Sequence, residues 1–188
     1  MVNDGHWTRS TACGLLLLGS TLSFTACQAD PDNQVANPEL LSMDADQVAF
    51  GMTSFLSARG VREGRVQADT AYIYADSAMA NLRQMEITFY DEDGRPRATV
   101  TGRSGQWKRD TDRMIARGDV VLFIHQDSSK LETQELFYDP DLDRVWSDST
   151  TVRTMANGSV TSGSAFESDM SFDNIRITGA RGSVGRVF

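Results

Sequence analysis

Residues 131–152 read LETQELFYDPDLDRVWSDSTTV. Polar and apolar residues alternate toward Leu136 and Tyr138. The acidic, proline-bearing run 139–144 follows, and apolar residues return at Val145 and Trp146. Period-two patterning bounded by turn residues predicts two strands joined by a polar turn. The stretch just upstream follows the same plan. A strand closes on Trp107, the charged turn 108–113 follows, and an apolar run extends from Met114 to Ile124. Val100 and Leu131, Trp107 and Tyr138, Met114 and Val145, and Val121 and Val152 are each 31 residues apart. A looser third copy places Phe166 and Ile175 30 residues after Leu136 and Val145. An internal period of two strands and a turn predicts a stacked β architecture, because each unit has one apolar face that only its neighbours can bury.

The strands continue toward the N-terminus. In the segment 82–90, LRQMEITFY, the residues Met85, Ile87 and Phe89 share one face. Residues 91–94, DEDG, form a tight turn, and 97–102 run back antiparallel. Asp91, Glu92 and Asp93 are adjacent, so they do not supply the alternate-position ligands of a calcium loop. Residues 61–69 and 70–77 read as further strand segments, the second with Tyr72 and Tyr74 on one face. Residues 48–56 read as the first strand, with an amphipathic helix as the alternative, since Val48, Met52, Phe55 and Leu56 share a helical face. Gly118 and Gly163 mark bulges or a close approach of backbone.

The chain has 188 residues, a formal net charge of −8 and two cysteines, Cys13 and Cys27. Such a balance excludes nucleic acid as a partner, because phosphate binding needs clustered Lys and Arg. No residue after Cys27 can form a disulfide or a cysteine metal site, and no metal or cofactor is expected. Residues 11–26 form an uncharged run around Leu15–Leu18, too short for a comfortable membrane span and suited to a secretory signal. Phe24-Thr25-Ala26-Cys27 is similar to a bacterial lipobox, which makes Cys27 the expected site of lipidation. An uncleaved signal-anchor is the alternative. Residues 28–45, with Pro31 and Pro38, read as a tether. The division expected is therefore a signal peptide (1–27), a tether (28–45), a β domain (46–182) and a tail (183–188).

His125 is the one histidine after the leader, and no G-x-S-x-G elbow stands near it. Enzyme chemistry is not expected, and work by a surface or a groove is.

Seven segments in order carry a resemblance: 46–51 (DQVAFG), 65–69 (RVQAD), 87–96 (ITFYDEDGRP), 116–120 (ARGDV), 131–138 (LETQELFY), 145–148 (VWSD) and 162–169 (SGSAFESD). Together they resemble the LptC family, the periplasmic component of lipopolysaccharide export, whose repeated half is shared with LptA/OstA domains. The resemblance implies an all-β, open, twisted antiparallel β-jellyroll of stacked strand pairs. It implies that the apolar interior holds the acyl chains of lipopolysaccharide. With the inward face assigned from the strand pattern, the lining would be Ile87, Phe89, Val100, Trp107, Ile115, Val121, Phe123, Leu136, Tyr138, Val145, Phe166 and Ile175. One strand edge would meet the jellyroll domains of inner-membrane ABC transporter subunits and the other a soluble periplasmic bridge protein. Ile175, Arg176, Ile177 and Thr178 form one such partner edge. A soluble bridge protein of the LptA/OstA type, or a β-solenoid scaffold without lipid, are the alternatives. Well-known members carry a transmembrane helix where this chain has its lipobox-like sequence, so anchoring to the inner membrane would run through Cys27.

Overall fold

The computed structural model describes residues 44–58 and 60–183. Twelve antiparallel strands form one continuous hydrogen-bonded sheet: β1 (Gln47–Ala58), β2 (Val61–Tyr74), β3 (Met79–Tyr90), β4 (Pro96–Lys108), β5 (Arg113–Ile124), β6 (Ser129–Asp139), β7 (Arg144–Ser147), β8 (Thr151–Thr154), β9 (Val160–Gly163), β10 (Ala165–Ser168), β11 (Arg176–Thr178) and β12 (Arg181–Ser183). A 3-10 turn, Pro140–Leu142, joins β6 to β7. The first six strands are long and the rest are short, and this difference explains the architecture. One end of β6, Phe137 to Asp139, pairs with β7; the other, Lys130 to Glu132, pairs with β8. From there the sheet divides into β7–β10–β11 and β8–β9–β12. Each successive pair of short strands is one long strand interrupted in the middle.

Burial shows why the interruption occurs there. Along β2 the buried residues are Val66 and Ala68, then Ala71; along β3, Ala80 and Leu82, then Met85, Ile87 and Phe89. Along β4 they are Ala98 and Val100, then Trp107; along β6, Leu131 and Thr133, then Leu136 and Tyr138. In each strand the alternation slips by one residue at a polar doublet: Asp69-Thr70, Arg83-Gln84, Arg103-Ser104, Gln134-Glu135. The slips are in register. Thr70 pairs with Arg83, Arg83 with Ser104, Ser104 with Arg117, and Arg117 with Glu135. They form a crease straight across the sheet. At this corner two consecutive side chains lie on the convex side, so the sequence pattern must shift by one residue there for its apolar side chains to return to the concave face.

Strand β5 achieves this with a bulge at Arg117–Val120, where Gly118 and Asp119 both take positive φ (76° and 48°). Beyond β6 the crease coincides with the breaks between β7 and β8, β9 and β10, and β11 and β12. The first wall comprises residues 52–68, 85–102, 120–133, β8, β9 and β12. The second comprises 47–50, 70–83, 104–117, 135–139, β7, β10 and β11. Phe89 of the first meets Tyr138 of the second with ring centroids 5.1 Å apart, so the walls face one another around one apolar cluster.

The expected open antiparallel jellyroll is therefore present, and residues 48–56 are strand. Residues 61–77 were expected as two segments meeting at 69–70; residues 61–74 form one strand creased at that point, and 75–77 lie in the turn that follows. The 31-residue repeat is structural: Val100 and Leu131 line the first wall, and Trp107 with Tyr138 and Met114 with Val145 line the second, all buried.

Two glycines are required by close approach. A Cβ on Gly105 would lie 2.1 Å from Met85 Sδ, which reaches across from the opposite wall near the crease. A Cβ on Gly163 would lie 2.4 Å from both Ile177 Cγ2 and the Thr178 carbonyl oxygen. The second contact involves backbone and cannot relax by rotating a side chain. Gly163→Ala is expected to lower the unfolding free energy by about 1–3 kcal/mol through overpacking, read from the urea midpoint. An unchanged midpoint would show that the two walls separate freely at this end.

Candidate functional site

The candidate site is the space between the walls. Eight of the residues expected to line it do point inward and are buried: Ile87, Phe89, Val100, Trp107, Leu136, Tyr138, Val145 and Phe166. Ile175 is half-buried and packs against the same cluster just before β11. The remaining three are corrections. Ile115, Val121 and Phe123 lie on the outer face, and β5 turns Met114, Ala116, Val120, Leu122 and Ile124 inward instead. The physical reason is that β5 is apolar on both faces, so its pattern leaves the phase undetermined. Outside, Ile115 pairs in register with Phe137, which stacks on Trp146 at 5.2 Å. Phe123, 36% exposed, packs edge-on against the His125 ring. Leu82, Met85, Leu122 and Leu131 also line the interior. The 31-residue spacing from Val100 to Leu131 was the signal that could have found the last.

Aliphatic and aromatic carbon dominates the interior. Three of the buried polar residues, Thr133, Ser147 and Thr151, lie by the crease: Thr133 Oγ1 lies 2.8 Å from Ser147 Oγ, which accepts from the Ser149 N–H. Trp107 buries its indole body and donates its N–H to Asp112 at 3.1 Å, fixing the ring from the rim. Burial, with the nearby carboxylates Asp112, Glu63 and Asp139, pushes the Tyr138 phenol well above its ordinary value, so it stays neutral. A chamber of this composition suits hydrocarbon and disfavours charge. His125 is exposed, its Nε2 3.0 Å from Thr99 Oγ1.

Opposite the crease, the free ends of the walls meet along a seam. An opening of about 680 Å³ lies there between Arg62, Tyr90 and Arg97 of the first wall and Pro140, Asp143 and Met170 of the second. The loop 169–174 lies along this seam and places Phe172 against Phe89 at 5.8 Å. Burial pushes the Asp169 carboxyl up, but bonds from Asn174, Ser171 and the Asp173 N–H outweigh it and hold the group below the usual carboxylate range.

The two ends of the sheet are open edges. Among the described residues β1 pairs with β2 alone, β11 with β10 alone, and β12 with β9 alone. Arg176, Ile177 and Thr178 lie on the second of these edges, with Ile175 just before it. At the first, Phe50 is 69% exposed. Cys27 lies outside the described residues.

Over residues 13–183 the chain matches the family model described as lipopolysaccharide-assembly, LptC-related. It is similar to the crystal structure of LptH from Pseudomonas aeruginosa, the LptA-homologous periplasmic component of that organism's lipopolysaccharide transport device. The TM-score is 0.50 and the identity 18%, over 61% of this chain and 80% of LptH. At that identity the likeness concerns the fold. No curated protein matches the sequence.

Leu122→Ala is expected to cost about 2–5 kcal/mol, and the neighbouring Val121→Ala less than about 1 kcal/mol. Chemical denaturation of the two variants tests the inward face of β5; similar losses would contradict the outward placement of Val121.

Proposed function

Because the chain belongs to the LptC-related family of lipopolysaccharide-assembly proteins, we propose that it takes lipopolysaccharide from an inner-membrane ABC transporter and passes it to a soluble periplasmic bridge protein. That it is a periplasmic component of lipopolysaccharide transport follows from the family and the jellyroll fold. The continuity of the interior supports its place between transporter and bridge. The apolar cluster runs from Leu56 at the β1 edge to Phe166 and Ile175 beside the β11 edge, and among the described residues each edge strand pairs on one side alone.

An exposed strand edge is a template for strand addition. A jellyroll added at either end would extend the walls and prolong the apolar channel between them. Acyl chains would then slide from one domain to the next without crossing water, driven by whatever loads the upstream end. The protein's part is passive, as a binding and transfer component rather than a catalyst. Ile87, Phe89, Val100, Trp107, Leu136, Tyr138, Val145 and Phe166 would hold the acyl chains, with Ile175 at the exit. The residues from Arg176 to Thr178 would form one partner edge, and β1 the other. Lipidation of Cys27 would anchor the domain to the inner membrane, since an acylated cysteine carries enough methylenes for stable attachment.

A scaffold without lipid is the second reading, favoured by the tightness of the interior, where Val100, Leu122, Leu131 and Val145 are wholly buried. Photo-crosslinking separates the two. A photoreactive residue at Tyr138 is expected to form a lipopolysaccharide adduct, and one at the outward Val121 is not. A folded protein that forms no adduct from Tyr138 sinks the carrier reading.

A second experiment addresses the edge. Successive N–H groups of a strand point to opposite sides, so of Arg176→Pro and Ile177→Pro one blocks the free side and the other disturbs pairing with β10. One variant is expected to keep its circular dichroism spectrum and lose capture of the bridge protein. Full capture by both would contradict this edge as the docking site.

A further inference from the structure

We infer that the loop 169–174 is a door on the interior, latched by Phe172, and that hydrocarbon enters sideways through the seam by displacing that side chain. The inference rests on the carrier reading and adds the route of entry. Three observations carry it.

The first is how the loop is held. It leaves the second wall at Ser168 and lies against turns of the first. Met170 shares an opening with Arg62, Tyr90 and Arg97, and Ser171 and Asp173 share another with Arg95, Arg97 and His125. Its hydrogen bonds are internal or go to its own wall: Asp169 gathers Ser171, Asp173 and Asn174, and the Met170 N–H donates to Asp143 at 3.1 Å. Among the described residues no hydrogen bond or ion pair ties the loop to the first wall. What holds it there is apolar contact: Phe172, 3% exposed and packed on Phe89, with the half-buried Met170 packed against the same cluster. Such a segment is hinged on one side and closed by apolar contact on the other.

The second is that the closed state is strained. Phe172 has φ of +60°, the left-handed region that bulky side chains rarely occupy and that surrounding structure must enforce. Third, the Ser168 hydroxyl at the hinge is 2% exposed and has no hydrogen-bond partner among the described residues. Opening the loop relaxes the backbone at Phe172 and admits water to Ser168, and both effects offset part of the cost of exposing the Phe172 ring and the Met170 side chain. An acyl chain entering beside Phe89 and Tyr138 replaces the contacts that the ring gives up.

The test uses the full chain with Cys13→Ser and Cys27→Ser, which removes both native thiols. Ser171→Cys and Gln126→Cys, on the loop and on the first-wall turn that lines the same opening, are joined with a short bismaleimide. Uptake of purified lipopolysaccharide is followed by photo-crosslinking at Tyr138. The unlinked protein is expected to take up lipid and the linked protein to lose uptake at least about tenfold. Phe172→Ala, and Phe172→Leu should the alanine variant unfold, are expected to speed uptake severalfold. Equal uptake by linked and unlinked protein overturns the door while leaving the carrier reading intact. No uptake by the unlinked parent overturns the carrier reading and the door with it.

Discussion

A β-strand places successive side chains on opposite faces, and this protein must keep its apolar side chains on one surface through a sharp bend. That geometric constraint governs the rest of the structure. At the corner two consecutive side chains lie on the convex side, so a sequence that kept strict alternation would be apolar inside up to the bend and apolar outside beyond it. Strands β2, β3, β4 and β6 each meet the difficulty with one extra outward residue, and these residues of neighbouring strands lie in register. The resulting crease, from Thr70 through Arg83, Ser104 and Arg117 to Glu135, turns a single sheet into two facing walls. Polar doublets sit there because both of their side chains face solvent. The bulge at Gly118 and Asp119 supplies the same correction where β5 needs an additional residue.

Folding one sheet on itself yields a core without closing a barrel. Two edges remain, at β1 and at β11 with β12, and an open seam remains opposite the crease. Each suits a transport component. The edges allow the walls to be prolonged by another jellyroll, and the seam is the side on which the interior can open without breaking strand pairing. Stability comes from the interior. Burial of each large apolar side chain is worth about 1.5–3 kcal/mol, whereas exposed ion pairs such as Arg95–Asp93 in the β3–β4 turn are screened by solvent and contribute little. The surface is therefore free to vary in charge while the inward pattern is tightly constrained.

Much of this was legible in the residues. Alternation in 82–90 and 131–138, turn chemistry at 91–94 and 139–144, and the 31-residue spacing predict antiparallel strand pairs sharing a buried face. The ordered segments from 46–51 to 162–169 identify the family. Alternation within 85–89 places Ile87 and Phe89 on one face, and the 31-residue spacing ties Trp107 to Tyr138 on one wall. In β5 the contrast between faces is missing. Ile115, Val121 and Phe123 are as apolar as Met114, Val120 and Leu122, so local pattern left its inward face undetermined.

The sequence by itself determined the strands, their turns, their repeat and the family to which they belong, because these rest on local periodicity and on residues close together in the chain. Tertiary structure decided the direction of β5, the alignment of the polar doublets into one crease and the placing of Phe172 over Phe89. Each of these depends on which residues stand opposite one another across strands or across the seam. A lone doublet such as Arg83-Gln84 looks like a lapse in alternation until its pairing with Thr70 on one side and Ser104 on the other shows it to be part of a fold line.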